Sequence, residues 1–304
     1  MSNVEELERK FGINGAVRIE AGLGSLPRIV VSTQEASAEI YLHGAHVAHF
    51  QPHGSAPVLF LSRSSFFDGH KPIRGGIPLV FPWFGPRADL PALPPHGFAR
   101  TRQWEIESCD AQRDGSVRIV LTTGQDETTL PPWPHSFSLR FIVMVSGVLD
   151  AALEVTNTSR ASVRFEEALH TYLAVGDIRK ISVEGLDGAD YIDRTDGEKR
   201  KKEQAKALGF GAETDRLYLT SAANVTVRDP VMRRSIVVEK QHSNATVVWN
   251  PWSQKAAQMA DMGADEWQRM VCIETANARA CAVELAAGAT HRMSTRIGVE
   301  AQGS

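Results

Sequence analysis

Apolar and polar positions alternate over short runs along most of this chain, and glycine, proline, asparagine or aspartate separates one run from the next. AVRIEA, RIVVS, AEIYLHG, VLFLS, SVRIVLTTG, FSLRFIVMV, LDAALEVTN, ISVEG, VTVRD, SIVVEK, ATVVWN, MVCIE and CAVEL each read as a strand. In LDAALEVTN, Leu149, Ala151, Leu153 and Val155 fall on one face, and Asp150, Ala152, Glu154 and Thr156 on the other. A period of two places one face of that segment in a core and is foreign to an amphipathic helix. Helical patterning is confined to Val4–Phe11, with a turn or two predicted at Lys199–Leu208 and Asp265–Arg269. The pattern therefore predicts an all-β fold, a large antiparallel β-sandwich with few short helices, and argues against a βαβ parallel sheet. With no internal repeat or low-complexity linker, residues 1–304 are expected to form a single domain.

Composition narrows the class. The net charge is −3, from 33 Lys and Arg against 36 Asp and Glu, which gives no electrostatic case for nucleic acid. Cys109, Cys272 and Cys281 are too few and too scattered for a disulfide framework, and none stands in a C-x-x-C pair. The N-terminal MSNVEELERKFGI is charged where a signal peptide needs an apolar core, and no apolar run approaches the roughly 18 residues of a membrane span. The expectation is a cytoplasmic protein without a membrane partner.

Candidate chemistry concentrates in a few segments. Ser62–Arg87 carries Arg63, Lys71, Arg74 and Arg87 around Gly75-Gly76, then three prolines with Trp83 and Phe84. The glycines let the backbone approach a ligand closely, and the prolines stiffen the remainder of the segment. HGFAR comes after a proline-rich loop, and on an extended segment His96 and Arg100 share a face. His170 interrupts the apolar run EALHTYLAV, and Glu274 ends the apolar run MVCIE. Each needs a partner or a ligand if buried. Trp249 and Trp252 flank an Asn-Pro turn, suited either to stacking on a sugar or to filling a core. Asp261 and Asp265 read as turn and cap residues, with Asp261 also a candidate for ligand contact. HGAHVAHF spaces His43, His46 and His49 so that His46 faces away from the other two on a strand, which argues against a three-histidine metal site. The basic run Asp196–Ala207 mixes signs and lacks aromatics, the look of a solvated segment.

Together DGHKPIRGGIPLVFPWFG, HGFAR, the ALHTYL histidine, WNPW and the DMGADEW…VCIETANA ending resemble the glucose-6-phosphate 1-epimerase family, within the aldose 1-epimerase-like group. The resemblance runs from about Ala38 to Val299; the stretch Gly197–Lys206 and the terminal AQGS match nothing in it. It implies a galactose mutarotase-like supersandwich, a hexose 6-phosphate as substrate, no metal and no organic cofactor; a monomer is expected. It further implies that His170 and Glu274 are the catalytic pair. Arg74, His96, Arg100, Asp215 and Asp261 would bind substrate, with Arg63 and Lys71 as further candidates for the phosphate. On reference pKa values of about 4.3 and 6.5, Glu274 suits the base and His170 the acid. An aldose 1-epimerase of free sugars and a non-catalytic sugar-binding sandwich are the alternatives.

Overall fold

In the computed structural model, which describes residues 3–126, 128–129 and 131–301, the alternating runs assemble into antiparallel ladders. A nine-stranded sheet runs Ala207–Leu208, Ser182–Glu184, Val225–Asp229, Arg234–Gln241, Thr290–Ala301, Leu149–Asn157, Phe137–Val145, Val117–Gly124, Glu105–Ala111. An eight-stranded sheet runs Lys199–Lys202, Asp190–Asp193, Thr214–Leu219, Ala245–Asn250, Met270–Asn277, Glu167–Leu169, Leu79–Val80, with Tyr172–Ala174 also paired to Met270–Asn277. The first four strands, from Val17–Ala21 to His46–Pro52, form a meander of their own, and Val163–Phe165 pairs with Val283–Leu285.

The period of two explains the packing. Leu149, Ala151, Leu153 and Val155 are all at most 1 % exposed and belong to one large apolar cluster that also takes in Leu169, Val248 and Ile273 of the eight-stranded sheet. Fully burying a side chain of this kind is worth about 1.5–3 kcal/mol, so patterning on facing strands drives the two sheets together. The outer face of Leu149–Asn157 is partly covered too, since Ala152 packs with Val120 and Ile142 in a small separate cluster.

Two expectations are corrected. Lys199–Lys202 and Ala207–Leu208 are strands, not helical turns. Lys199–Lys202 pairs with Asp190–Asp193 at a sheet edge, where Lys201 meets Asp193 at 2.8 Å and Arg200 meets Asp190 at 2.8 Å. Such a charged edge discourages pairing with another chain. VLFLS makes only isolated bridges, through Leu59 and Leu61. The helix at Asn3–Phe11 forms, and Glu266–Arg269 makes a single 3-10 turn. Gln302–Ser304, in the unmatched AQGS, lie outside the described residues. No helix among the described residues is long and apolar enough to cross a membrane.

Candidate active site

Register builds the site. Asp215 pairs with Trp249, Trp249 with Cys272, and Cys272 with Tyr172, so one cross-strand row spans four neighbouring strands. Residues directly opposite each other share a face, and Glu274, two residues beyond Cys272, joins it. The other face of the same strands looks at the nine-stranded sheet, with Asn277 reaching Met293 and Glu167 reaching His291. The row thus lines a cleft of about 330 Å³ with Arg74, Pro86, Pro95, His96, Arg100, His170, Arg194 and Lys255 around it. That volume suits a small ligand. Hollows of about 360 and 560 Å³ lie elsewhere, but no histidine lines either, so size alone does not select the site.

His170 stands where the strand breaks. Glu167–Leu169 and Tyr172–Ala174 both pair with Met270–Asn277, and between them His170 N–H turns to the Pro78 carbonyl at 3.0 Å. The ring stacks on Tyr172 at 4.9 Å, and its Nε2 lies 3.2 Å from Glu274 Oε1. His170 is 7 % exposed and Glu274 1 %. Burial is the main influence on both: it pulls His170 well below the usual imidazole value, helped by Arg100 and Arg74, and pushes Glu274 well above the carboxylate range, helped by Asp215. Both directions oppose the carboxylate–imidazolium form suggested by reference values. The two directions together favour the neutral form of each group over the charged one.

Two cations form one end of the cleft. Arg74 Nε and Nη2 donate to Asp261 Oδ2 at 3.1 and 2.9 Å, and Nη1 donates to the Tyr172 hydroxyl at 2.8 Å. Burial opposes its charge most, but Tyr172 and Asp261 outweigh that and raise its pKa. Arg100 differs: its side chain makes one hydrogen bond, Nη2 to the Pro95 carbonyl at 2.8 Å, and burial beside Arg74 lowers its pKa to about 10. No carboxylate among the described residues ion-pairs with this guanidinium, Glu274 and Asp261 acting on it only at longer range, so a buried cation is left with room for an anion brought by a ligand. Along the cleft, His96 meets the rings of His170 at 5.6 Å and Phe84 at 4.9 Å, its Nδ1 accepting from Gly85 N–H at 3.4 Å. Burial, then Arg100, lowers the His96 pKa.

The backbone differs from expectation in instructive ways. HGFAR is not extended: His96 and Gly97 have φ of 67° and 72°, and Ala99–Thr101 is a 3-10 turn. His96 and Arg100 still reach one cleft. A Cβ on Gly97 would lie 1.9 Å from the Phe81 carbonyl oxygen, so only glycine fits there. Gly76 likewise sits against protein, not ligand, with a Cβ reaching 2.2 Å from the Val47 carbonyl oxygen and 2.6 Å from His46 Nε2. It locks the loop that carries Arg74.

The structure brings Arg74, His96, Arg100, His170, Asp215 and Glu274 to the cleft and withholds three other candidates. Arg63 Nε pairs with Glu266 at 3.0 Å and its Nη2 with Asp265 at 3.2 Å, while Lys71 lies 4.0 Å over the Phe66 ring; neither lines the cleft. Asp261 stands behind Arg74 as its counter-ion rather than in the cavity. Cys272 is sealed between Trp249 and Tyr172, with burial raising its thiol pKa. WNPW divides: Trp249 lines the cleft, whereas Trp252 packs on Trp267 at 4.4 Å. Sequence reasoning missed Arg194 and Lys255, whose only signal was their place beside a hairpin and a turn.

Several solved structures share this arrangement of sheets. A structure from Salmonella typhimurium, provisionally titled a mutarotase, superposes with a TM-score of 0.89 at 31 % identity over 96 % of both chains. A galactose mutarotase-like protein from Clostridium acetobutylicum, at 13 % identity, shows the same fold with a TM-score of 0.73 over 94 % of this chain and 98 % of its own. The architecture is a galactose mutarotase-like antiparallel β-sandwich. The aldose 1-epimerase family profile matches residues 27–298, and the chain belongs to that family. Relatives provisionally named glucose-6-phosphate 1-epimerase include one from Escherichia coli K12, 38 % identical over 84 % of this chain and 85 % of its own length, and one from Cenchrus ciliaris, 34 % identical over 86 % and 80 %.

Proposed function

We propose that this protein interconverts the α and β anomers of a hexose 6-phosphate, acting in the cytoplasm as a monomeric, single-domain enzyme. The observation that carries this reading is the contact of His170 with Glu274, 3.2 Å apart in a cleft that also holds the unmatched guanidinium of Arg100.

The chemistry needs one base and one acid. A base removes the proton from the C1 hydroxyl while an acid protonates the ring oxygen. The C1–O5 bond breaks, its electron pair goes to O5, and C1 becomes an aldehyde. After rotation about C1–C2, the O5 hydroxyl attacks the opposite face of C1, giving its proton back to the pair, and the carbonyl oxygen recovers one. A pair that holds one proton supplies both roles and is restored at the end of the cycle. Positioned proton transfer of this kind contributes on the order of 10² to 10⁴ fold.

Arg74 and Arg100 supply the fork-shaped donors that bind phosphate oxygens in pairs. Asp261 fixes Arg74 in place, which leaves Arg100 to match the phosphate charge. His96 is assigned to a sugar oxygen as donor and Asp215 to a sugar hydroxyl as acceptor. The test is anomer exchange followed by NMR with glucose 6-phosphate and with glucose. The account expects clear preference for the phosphate, and a preference for free glucose refutes the phosphate assignment.

A further inference from the structure

The cleft-facing row does not stop at Asp215. Asp193 pairs with Arg216, and the next hydrogen bond outward runs from Arg194 N–H to the Asp215 carbonyl at 2.9 Å, which sets Arg194 opposite Asp215 at the end of the row. Its side chain lies over the Phe84 ring at 5.6 Å and, among the described residues, makes one hydrogen bond, Nη1 to Asp215 Oδ1 at 3.4 Å. That is long for a charge-assisted pair, which closes to about 2.7–2.9 Å.

Among the described residues both partners are short of contacts: Asp215, 10 % exposed at its side chain, receives only that one side-chain hydrogen bond, and most of the donors on Arg194, 21 % exposed, meet no protein acceptor. Arg74, by contrast, makes three hydrogen bonds of 3.1 Å or less. A buried carboxylate and a half-buried guanidinium held at this separation are a cradle for polar groups from elsewhere.

We propose that Arg194 is a further specificity-determining residue, which together with Asp215 reads two adjacent hydroxyls of the sugar ring. Asp215 accepts from one hydroxyl, and Arg194 donates to the oxygen of its neighbour. This rests on the function proposed above. With the phosphate at Arg74 and Arg100, and O1 and O5 at His170 and Glu274, the ring edge left for this end of the cleft carries the C2 and C3 hydroxyls.

The experiment measures kcat/KM for anomer exchange of glucose 6-phosphate and its 2-deoxy and 3-deoxy analogues, with wild type, Arg194→Ala, Arg194→Lys and Asp215→Asn. Removing the arginine, or the hydroxyl it reads, is expected to cost roughly 10- to 100-fold. Combining both changes is expected to cost little more than either alone, because each removes the same contact. A structural role for Arg194 predicts instead that Arg194→Ala lowers all three substrates by the same factor. That result, or an Arg194→Ala enzyme within about twofold of wild type on glucose 6-phosphate, overturns the inference while leaving the function standing. A wild-type enzyme that exchanges no glucose 6-phosphate anomers overturns both.

Discussion

Two carboxylate–imidazole pairs are rooted three residues apart in the chain, at Glu167 and at His170. Glu274 meets His170 at 3.2 Å on the cleft face, and Glu167 meets His291 at 2.9 Å on the face that looks at the other sheet. Their contact geometry is nearly the same, so the contact does not make the chemistry. The surroundings do. Glu167 is fully buried, and its Oε1 also accepts from Asn277 Nδ2 at 2.9 Å, with Phe165 beside the imidazole and Met293 beside the amide. Glu274 and His170 instead face Arg74, Arg100, Arg194 and His96 across a cavity. One pair joins two sheets; the other lines a cavity.

Substitution should separate the pairs cleanly. Glu274→Gln is expected to lower kcat/KM for anomer exchange by about 10² to 10⁴ with little loss in thermal stability, since it removes a carboxyl that burial already disfavours as an anion. Glu167→Gln is expected to do the reverse, costing on the order of 3 kcal/mol in urea denaturation while kcat/KM stays within about threefold. A Glu167→Gln enzyme that melts normally but turns over slowly would dissolve the distinction. Next in size, Arg100→Ala should raise KM for glucose 6-phosphate about 10- to 100-fold, the loss of charge-assisted hydrogen bonds, and change exchange of free glucose far less. Lys71→Ala, outside the cleft, should alter neither by more than about twofold.

The pH dependence sharpens the same contrast. Burial lowers His170, so a second proton joins the pair only below the ordinary imidazole value of about 6.5. Burial raises Glu274, so the shared proton leaves only above the ordinary carboxylate range. No fall in kcat from loss of an imidazolium proton at His170 is therefore expected as pH rises through 6.5. A rate that falls there would identify an imidazolium of ordinary pKa as the working acid.

Much of the fold was legible because the inner faces alternate. LDAALEVTN and FSLRFIVMV became neighbouring strands of the nine-stranded sheet, as their patterns require. THRMSTRIGVEA was not read as a strand, although Thr290–Ala301 is twelve residues long. Its buried positions include Thr295 beside Met293 and Ile297, and its outer positions carry Arg292 and Arg296, so the apolar signal is thin. The site was legible where chemistry interrupts an apolar run, at His170 and Glu274. It was not legible at Arg194, whose place in the cleft comes from register with Asp215, nor at Arg63 and Lys71, where clustering in sequence did not mean convergence in space.

The central claim is that His170 and Glu274 together carry the proton traffic of ring opening. The most direct measurement is two-dimensional exchange NMR of glucose 6-phosphate at equal concentrations of wild type, His170→Ala and Glu274→Gln. The account predicts α/β cross-peaks that build up rapidly with wild type and fall to the uncatalysed level with either variant. Equal cross-peak build-up in all three proteins would contradict it.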